Sequence, residues 1–259
     1  MTHRCSGALA LILILLLFRT ATAQDHVRLT FDVASIRPSK EAGTTGGIKP
    51  LGGGNGYIVQ NIPVKLMMSL MYKIPMRQIT GGPVWLDSER FDIQAKTDHP
   101  HNIDDLHVMF QNLLADRFNL QFHKESREGK IYALTVDKSG LKMTPNTSQQ
   151  DFSIPVNFGP NGTYIGKRVP MPYLCWFLSQ ALQSDERPVV DRTGLDGNYD
   201  FTLLFAPQLP PGVSRDTPDV LDRPSLFEAV REQLGLRLEP TRGPVDMFII
   251  DHIDGPSDN

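Results

Sequence analysis

The feature that most constrains the fold is internal repetition. Two segments, about 57–137 and 164–251, follow one plan. Tyr57-Ile58-Val59-Gln60-Asn61-Ile62-Pro63 matches Tyr164-Ile165-Gly166-Lys167-Arg168-Val169-Pro170. Each reads as a short strand ended by proline, and proline at a helix start sacrifices no hydrogen bond. A helix follows in both, with Leu66, Met67, Leu70, Met71 and Ile74 as one apolar stripe and Leu174, Phe177, Leu178, Ala181 and Leu182 as the other. Next comes an alternating strand: Phe91, Ile93 and Ala95 in the first copy, Tyr199, Phe201, Leu203 and Phe205 in the second. Phe91-Asp92 mirrors Tyr199-Asp200. Turn-rich segments, Gly81-Gly82-Pro83 and Thr193 to Gly197, precede these strands.

A second helix then carries Leu106, Met109, Phe110, Leu113 and Leu114. Its counterpart opens on a capping box, Ser225 with Glu228, and turns Leu226, Ala229, Val230 and Leu234 inward. Asn119 and Gly235 fall at one aligned position after the helices, and these are the residues that best tolerate a left-handed cap. Each copy is expected to close with its own hairpin. Leu120–Lys124 turns near Glu128-Gly129 into Ile131–Val136, and Leu236–Glu239 turns near Arg242-Gly243 into Val245–Ile250. The expected fold is α+β: two tandem copies of a strand-helix-strand-helix-strand-strand unit, each a small mixed sheet covered by two helices. Residues 24–145 form the first unit, with an extra strand over Leu29–Ile36, and 146–259 the second. Ser39–Gly56 and Asn146–Asp151 read as loops, and 206–224 as a proline-rich insertion.

The first 23 residues stand apart. His3 and Arg4, an apolar run from Ala8 to Phe18 and the ending Thr20-Ala21-Thr22-Ala23 describe a secretory signal peptide. The run is short for a bilayer crossing, which needs roughly 20 residues, although an uncleaved anchor is the alternative. An exported chain, secreted or periplasmic and not membrane-spanning after cleavage, is expected. Of the two cysteines, Cys5 lies in the signal, so the remainder has one thiol, Cys175, and no internal disulfide. Cys175 sits in the apolar run Leu174–Leu178 and reads as a buried structural residue. The net charge of −3 excludes a generally basic nucleic-acid coat.

No catalytic signature emerges from the residues. His99, His101, His107 and His123, with Asp98, Asp104 and Asp105, lie close in sequence but lack zinc-ligand spacing on fixed elements, and solvated histidines are the expectation. Gly52–Gly56 has no Lys-Ser/Thr after it and precedes a strand, so it is no phosphate cradle. There is no Gly-x-Ser-x-Gly elbow. Asp191, Asp196 and Asp200, with Arg192, cluster around the second turn segment; turn chemistry, and for Asp200 a bridge on the polar sheet face, come first, since a catalytic carboxylate pair would also need a pocket. Trp176 is on a core stripe. Trp85, between Pro83 and Asp87, is either an interface anchor or a cover for the sheet edge. Asn146-Thr147-Ser148 and Asn161-Gly162-Thr163 match glycosylation sequons. Trp85 and Asp200 are the two candidate binding residues. Neither metal nor cofactor is expected.

Several motifs resemble a family of secreted soil-bacterial proteins, domain of unknown function 3738. They are Phe31–Pro38, Gly81–Leu86, Phe91–Lys96, Leu114–Phe118, Pro188–Leu195, Tyr199-Asp200-Phe201, Glu232–Leu236 and Ile250-Asp251-His252. The resemblance spans nearly the whole chain after the signal and implies no activity. Relatives join a similar domain to a membrane zinc peptidase, but this chain has no His-Glu-x-x-His. Each half is also similar in topology and cap pattern to the short N-terminal domain of secretins and outer-membrane transporters, which implies a protein-binding role. The expected function is a non-catalytic binding module of the bacterial envelope, engaging another envelope protein, a peptide or an environmental ligand. A secreted hydrolase using the aspartates with His123 or His252, or a self-associating envelope component, are the alternatives.

Overall fold

The computed structural model describes residues 28–41, 43, 45–149, 151–182, 185–206 and 223–256. The expected signal peptide with Cys5, and all but the ends of the proline-rich insertion, lie outside the described residues.

Among the described residues three four-stranded sheets combine with helices in a mixed α and β architecture. The first is antiparallel throughout, in the order β1 (Val33–Pro38), β5 (Arg90–Lys96), β3 (Gly56–Pro63), β2 (Gly47–Pro50). The third is also antiparallel: β7 (Thr144–Pro145), β11 (Asn198–Leu203), β9 (Tyr164–Pro170), β8 (Val156–Phe158). Only the central sheet is mixed. There β6 (Gln121–Val136) and β12 (Leu236–His252) pair antiparallel, flanked by β10 (Val189–Asp191) and β4 (Ile79–Gly81), each parallel to its neighbour. The segment 39–56, expected as a loop, thus contributes strand β2, and the extra N-terminal strand begins at Val33 rather than Leu29.

Among the described residues three helices are longer than a turn or so: α1 (Val64–Tyr72), α3 (Ile103–Arg117) and α4 (Met171–Ala181); α2 (Trp85–Ser88) is one turn. Helix α3 starts where Asn102 Oδ1 accepts the N–H groups of Asp104 and Asp105 (3.0 and 2.9 Å), satisfying two donors that the helix itself cannot. Asp104 and Asp105 in its first turn and Arg117 in its last suit the helix dipole. The fourth expected helix is shorter than the periodicity suggests: one α turn, α5 (Leu226–Ala229), runs into a π segment over Val230–Leu234. Its capping box is present, with Ser225 Oγ accepting from Glu228 N–H and Glu228 Oε2 accepting from Ser225 N–H (3.3 and 2.9 Å). Asn119 (φ 48°) and Gly235 (φ 68°) both adopt the left-handed conformation.

The expected hairpins do not form. Strands β6 and β12 run straight through their glycines and pair along their whole length, with Gly129 opposite Gly243. Neither glycine has the positive φ that a tight hairpin turn would use. A Cβ on Gly129 would come within 2.9 Å of Val245, and one on Gly243 within 2.9 Å of Ile131. These glycines admit a close cross-strand neighbour, and no turn is needed to explain them.

The pairing is crossed. The start of β6 meets the end of β12 (Phe122 with Ile250, Lys124 with Phe248), and the end of β6 meets the start of β12 (Leu134 with Leu238, Val136 with Leu236). Each apolar core is therefore completed from the other half of the chain. The first core, built from α1, α3 and the first sheet, takes in Phe248, Ile250 and Ile253. The second, under α4 and the third sheet, takes in Tyr132 and Leu134. Phe122 stacks on Phe248 (4.6 Å, 14°), with Tyr72 edge-on to both rings (5.0 and 5.6 Å). The boundary expected at 145/146 does not separate the cores.

Candidate functional site

The two outer sheets share one irregularity, and it positions the candidate site. Opposite Asp92, strand β3 carries two residues, Gln60 and Asn61; opposite Asp200, strand β9 carries Lys167 and Arg168. In each β-bulge the second residue is left-handed, Asn61 at φ 53° and Arg168 at φ 52°. In each, the aspartate accepts that residue's backbone N–H, at 3.0 Å for Asn61 and 2.9 Å for Arg168. The mirrored aspartates of the sequence are thus clamps for a strained backbone.

The side chains then diverge. Asn61 is buried, and its amide donates to the carbonyls of Gly43 and Thr45 (3.2 and 2.8 Å), tying the connection between β1 and β2 to the sheet. Arg168 instead lines a cleft of about 350 Å³ with Lys167, Asn146, Asp151, Asn157 and residues near them. Asp200 organises this cleft from beneath. Its carboxylate accepts from Lys167 Nζ (2.8 Å), Asn146 Nδ2 (2.8 Å) and Arg168 N–H (2.9 Å). Burial pushes its acidity toward the neutral form, but these three donors outweigh it and hold the carboxyl below the usual aspartate range. Asn146 Oδ1 accepts in turn from Ser148 N–H and Oγ (2.9 and 2.6 Å).

A test follows. Asp200→Ala should cost about 2–3 kcal/mol in chemical denaturation at pH 7, because hydrogen bonds to a charged acceptor are lost and a left-handed arginine is left unclamped. Since the folded-state pKa is depressed, the unfolded chain binds the extra proton. Asp200's contribution is therefore full above the ordinary aspartate pKa and fades as pH falls through the folded value. The variant's deficit should shrink in acid.

Trp85 is not near this cleft. Half-buried in α2, it packs against Phe91 (6.4 Å) and Phe118 (6.5 Å, nearly parallel), so its ring covers the first core. The histidines do not converge either. His123 sits exposed on β6 between Asp251 Oδ1 (2.7 Å) and Glu125 Oε1 (3.2 Å), hydrogen bonds that raise its pKa. His252 pairs with Asp254 (3.0 Å). Among the described residues no group of three His, Cys, Asp or Glu side chains is placed to hold a metal ion. Cys175 is buried, and its thiol is pushed up to about 12, first by desolvation and then by Asp191.

A second polar cluster lies where the two cores meet. Lys73 caps α1 in a left-handed conformation (φ 54°) and sends its amine to Leu70 O, to His107 Nε2 (3.3 Å) and over the rings of Tyr173 and Trp176 (5.3 Å each). Desolvation lowers its pKa to about 7, with Asp104 opposing. Burial, and then Lys73, lower His107 to about 3. A lysine depressed on folding binds fewer protons than in the unfolded chain, so stability should climb with pH from about 7 toward 10. Above that, the buried Tyr57 and Tyr173 hydroxyls begin to resist ionisation and reverse the trend. Lys73→Met should raise the melting temperature at pH 7 and flatten that climb in a pH series of thermal melts.

Sequence reasoning selected Asp200 but passed over Arg168, Lys167 and Lys73. The signal for Arg168 was present: it aligns with Asn61, a residue that favours left-handed backbone, whereas arginine does not.

Among the described residues no helix is long and apolar enough to cross a membrane. No curated protein and no solved structure matches the chain. A family model described as protein of unknown function (DUF3738) matches residues 65–253, most of the sequence, and the chain belongs to that family.

Proposed function

We propose that this protein is an exported, non-catalytic binding module of the bacterial envelope, and that the cleft held open by the Asp200 clamp is where it binds. The observation that carries the reading is Arg168, a partly buried guanidinium that contributes to the cleft wall and forms no ion pair among the described residues. Three groups with catalytic potential support binding over turnover, because each is committed elsewhere. Asp200 already accepts three donors, the Cys175 thiol is held protonated, and His107 packs against Lys73. Export rests on the composition of residues 1–23.

The same reading takes the architecture as a duplicated module whose copies have exchanged their last strands. The paired bulges, the left-handed residues after α3 and after the π segment, and the parallel additions of β4 and β10 to the central pair support it.

The experiment is a set of turnover assays on the purified protein with peptide, ester and glycoside panels, run beside equilibrium binding of the same compounds. Saturable binding without product is expected. Turnover abolished by Asp200→Ala would replace the binding module with a hydrolase.

A further inference from the structure

The ligand class follows from what the cleft offers and what it lacks. Arg168 Nε is buried without an acceptor, and among the described residues no side chain answers the guanidinium. A cation partly removed from water without a counter-charge is unfavourable, and a planar guanidinium is best answered by a carboxylate or phosphate, which it grips with two parallel hydrogen bonds. Lys167, on the same wall, gives one amine N–H to Asp200 (2.8 Å), which offsets that carboxylate's charge, and its remaining N–H groups reinforce the preference for an anion.

The other charge on the cleft wall decides between the two anions. Asp151 accepts Ser153 N–H at Oδ1 (2.7 Å) and has lone pairs left over, yet it is not within ion-pair distance of Arg168. With Asp151 on the wall, a doubly charged phosphate would meet more repulsion than a singly charged carboxylate. Asp151 and Asn157, both exposed on the cleft wall, keep acceptor oxygens free for a ligand's hydroxyl groups, the Asn157 amide itself donating to Ile154 O (2.6 Å). A ligand that places hydroxyl groups a few ångströms from a carboxylate would satisfy Arg168, Asp151 and Asn157 together. The cleft volume of about 350 Å³ is at the small end for ligand sites and suits a single sugar-sized molecule.

Resting on the binding-module reading above, we infer that the cleft between Arg168 and Asp151 binds a small hydroxylated monocarboxylate of the sugar-acid type, with the carboxylate on Arg168 and a hydroxyl on Asp151. The left-handed backbone gives a clean probe of this. Asparagine accepts the conformation of Arg168, as Asn61 does at the bulge of the other sheet, so Arg168→Asn deletes the guanidinium and leaves the clamp with Asp200 intact.

The test is calorimetric titration of the full chain with glucuronate, acetate, glucose and inorganic phosphate. Glucuronate should bind saturably, more tightly than acetate or phosphate, and glucose should not bind. Arg168→Asn should weaken glucuronate by about tenfold or more with no loss of melting temperature. Asp151→Ala should reduce glucuronate to the affinity of acetate. Arg168→Gly, whose backbone is at ease at φ 52°, repeats the first comparison should the asparagine variant fold poorly. Absence of saturable glucuronate binding, wild-type affinity in Arg168→Asn, or phosphate binding more tightly than glucuronate would overturn the assignment. None of those results involves turnover, so each leaves the non-catalytic part of the binding-module reading standing, whereas conversion of a panel compound would remove that part and spare the Arg168 contact.

Discussion

Gly235→Val should destabilise the protein by about 3 kcal/mol or more, while Asn119→Gly should change its stability by less than about 1 kcal/mol. Both residues hold the left-handed conformation, but their surroundings differ. Any Cβ at Gly235 would run into the carbonyl oxygen of Gly140, so valine adds a steric collision to an unfavourable backbone, and the colliding group is main chain that has little room to give. Asn119 is surface-placed, with its amide donating to Asp254 (3.0 Å) and its carbonyl accepting from Gln121 (3.2 Å). Glycine there loses two exposed hydrogen bonds and gains backbone ease. Urea denaturation of the two variants measures the difference; equal midpoints would refute it.

Phe248→Ala should remove about 3–5 kcal/mol, and its structural effects should appear in the half of the chain remote from it in sequence. Phe248 is buried in the first core, in ring contact with Tyr72 and Phe122. Amide hydrogen exchange should therefore speed up most over 64–122, around α1, α3 and the start of β6, and less over 164–234. Were the strand folded back in a local hairpin, as the sequence first suggests, the loss of protection would fall in the second region. The measurement separates the two pairings directly.

That contrast marks where the sequence can be read and where it cannot. Local devices were legible. The stripe Leu106, Met109, Phe110, Leu113, Leu114 is buried, the Ser225–Glu228 box forms, and the asparagine and glycine after the helices take the same backbone conformation. Each depends on residues a few positions apart. The pairing of β6 with β12 was not legible, because alternating runs around a glycine satisfy a hairpin and a through-going strand equally well. What decides is whether the facing strand comes from nearby or from more than a hundred residues away. The candidate site was half legible. Phe91-Asp92 and Tyr199-Asp200 announced a shared role, but that role is to clamp Asn61 and Arg168. The useful residue is the one whose type departs from what its backbone prefers. Lys73 could not be found at all from sequence, since a lysine at a helix end is ordinary until packing seals it against Tyr173 and Trp176.

The crossed ladder also sets an order of assembly. A chain that emerges amino end first presents α1 and α3 early, yet the core they roof stays unsealed until Phe248, Ile250 and Ile253 arrive among the last residues. The second core, begun later, already has Tyr132 and Leu134 waiting and needs nothing beyond Leu238. The half synthesised first is thus the half finished last. Such long-range closure slows folding, because the two strands of the central pair must find each other across a hundred or more residues of sequence.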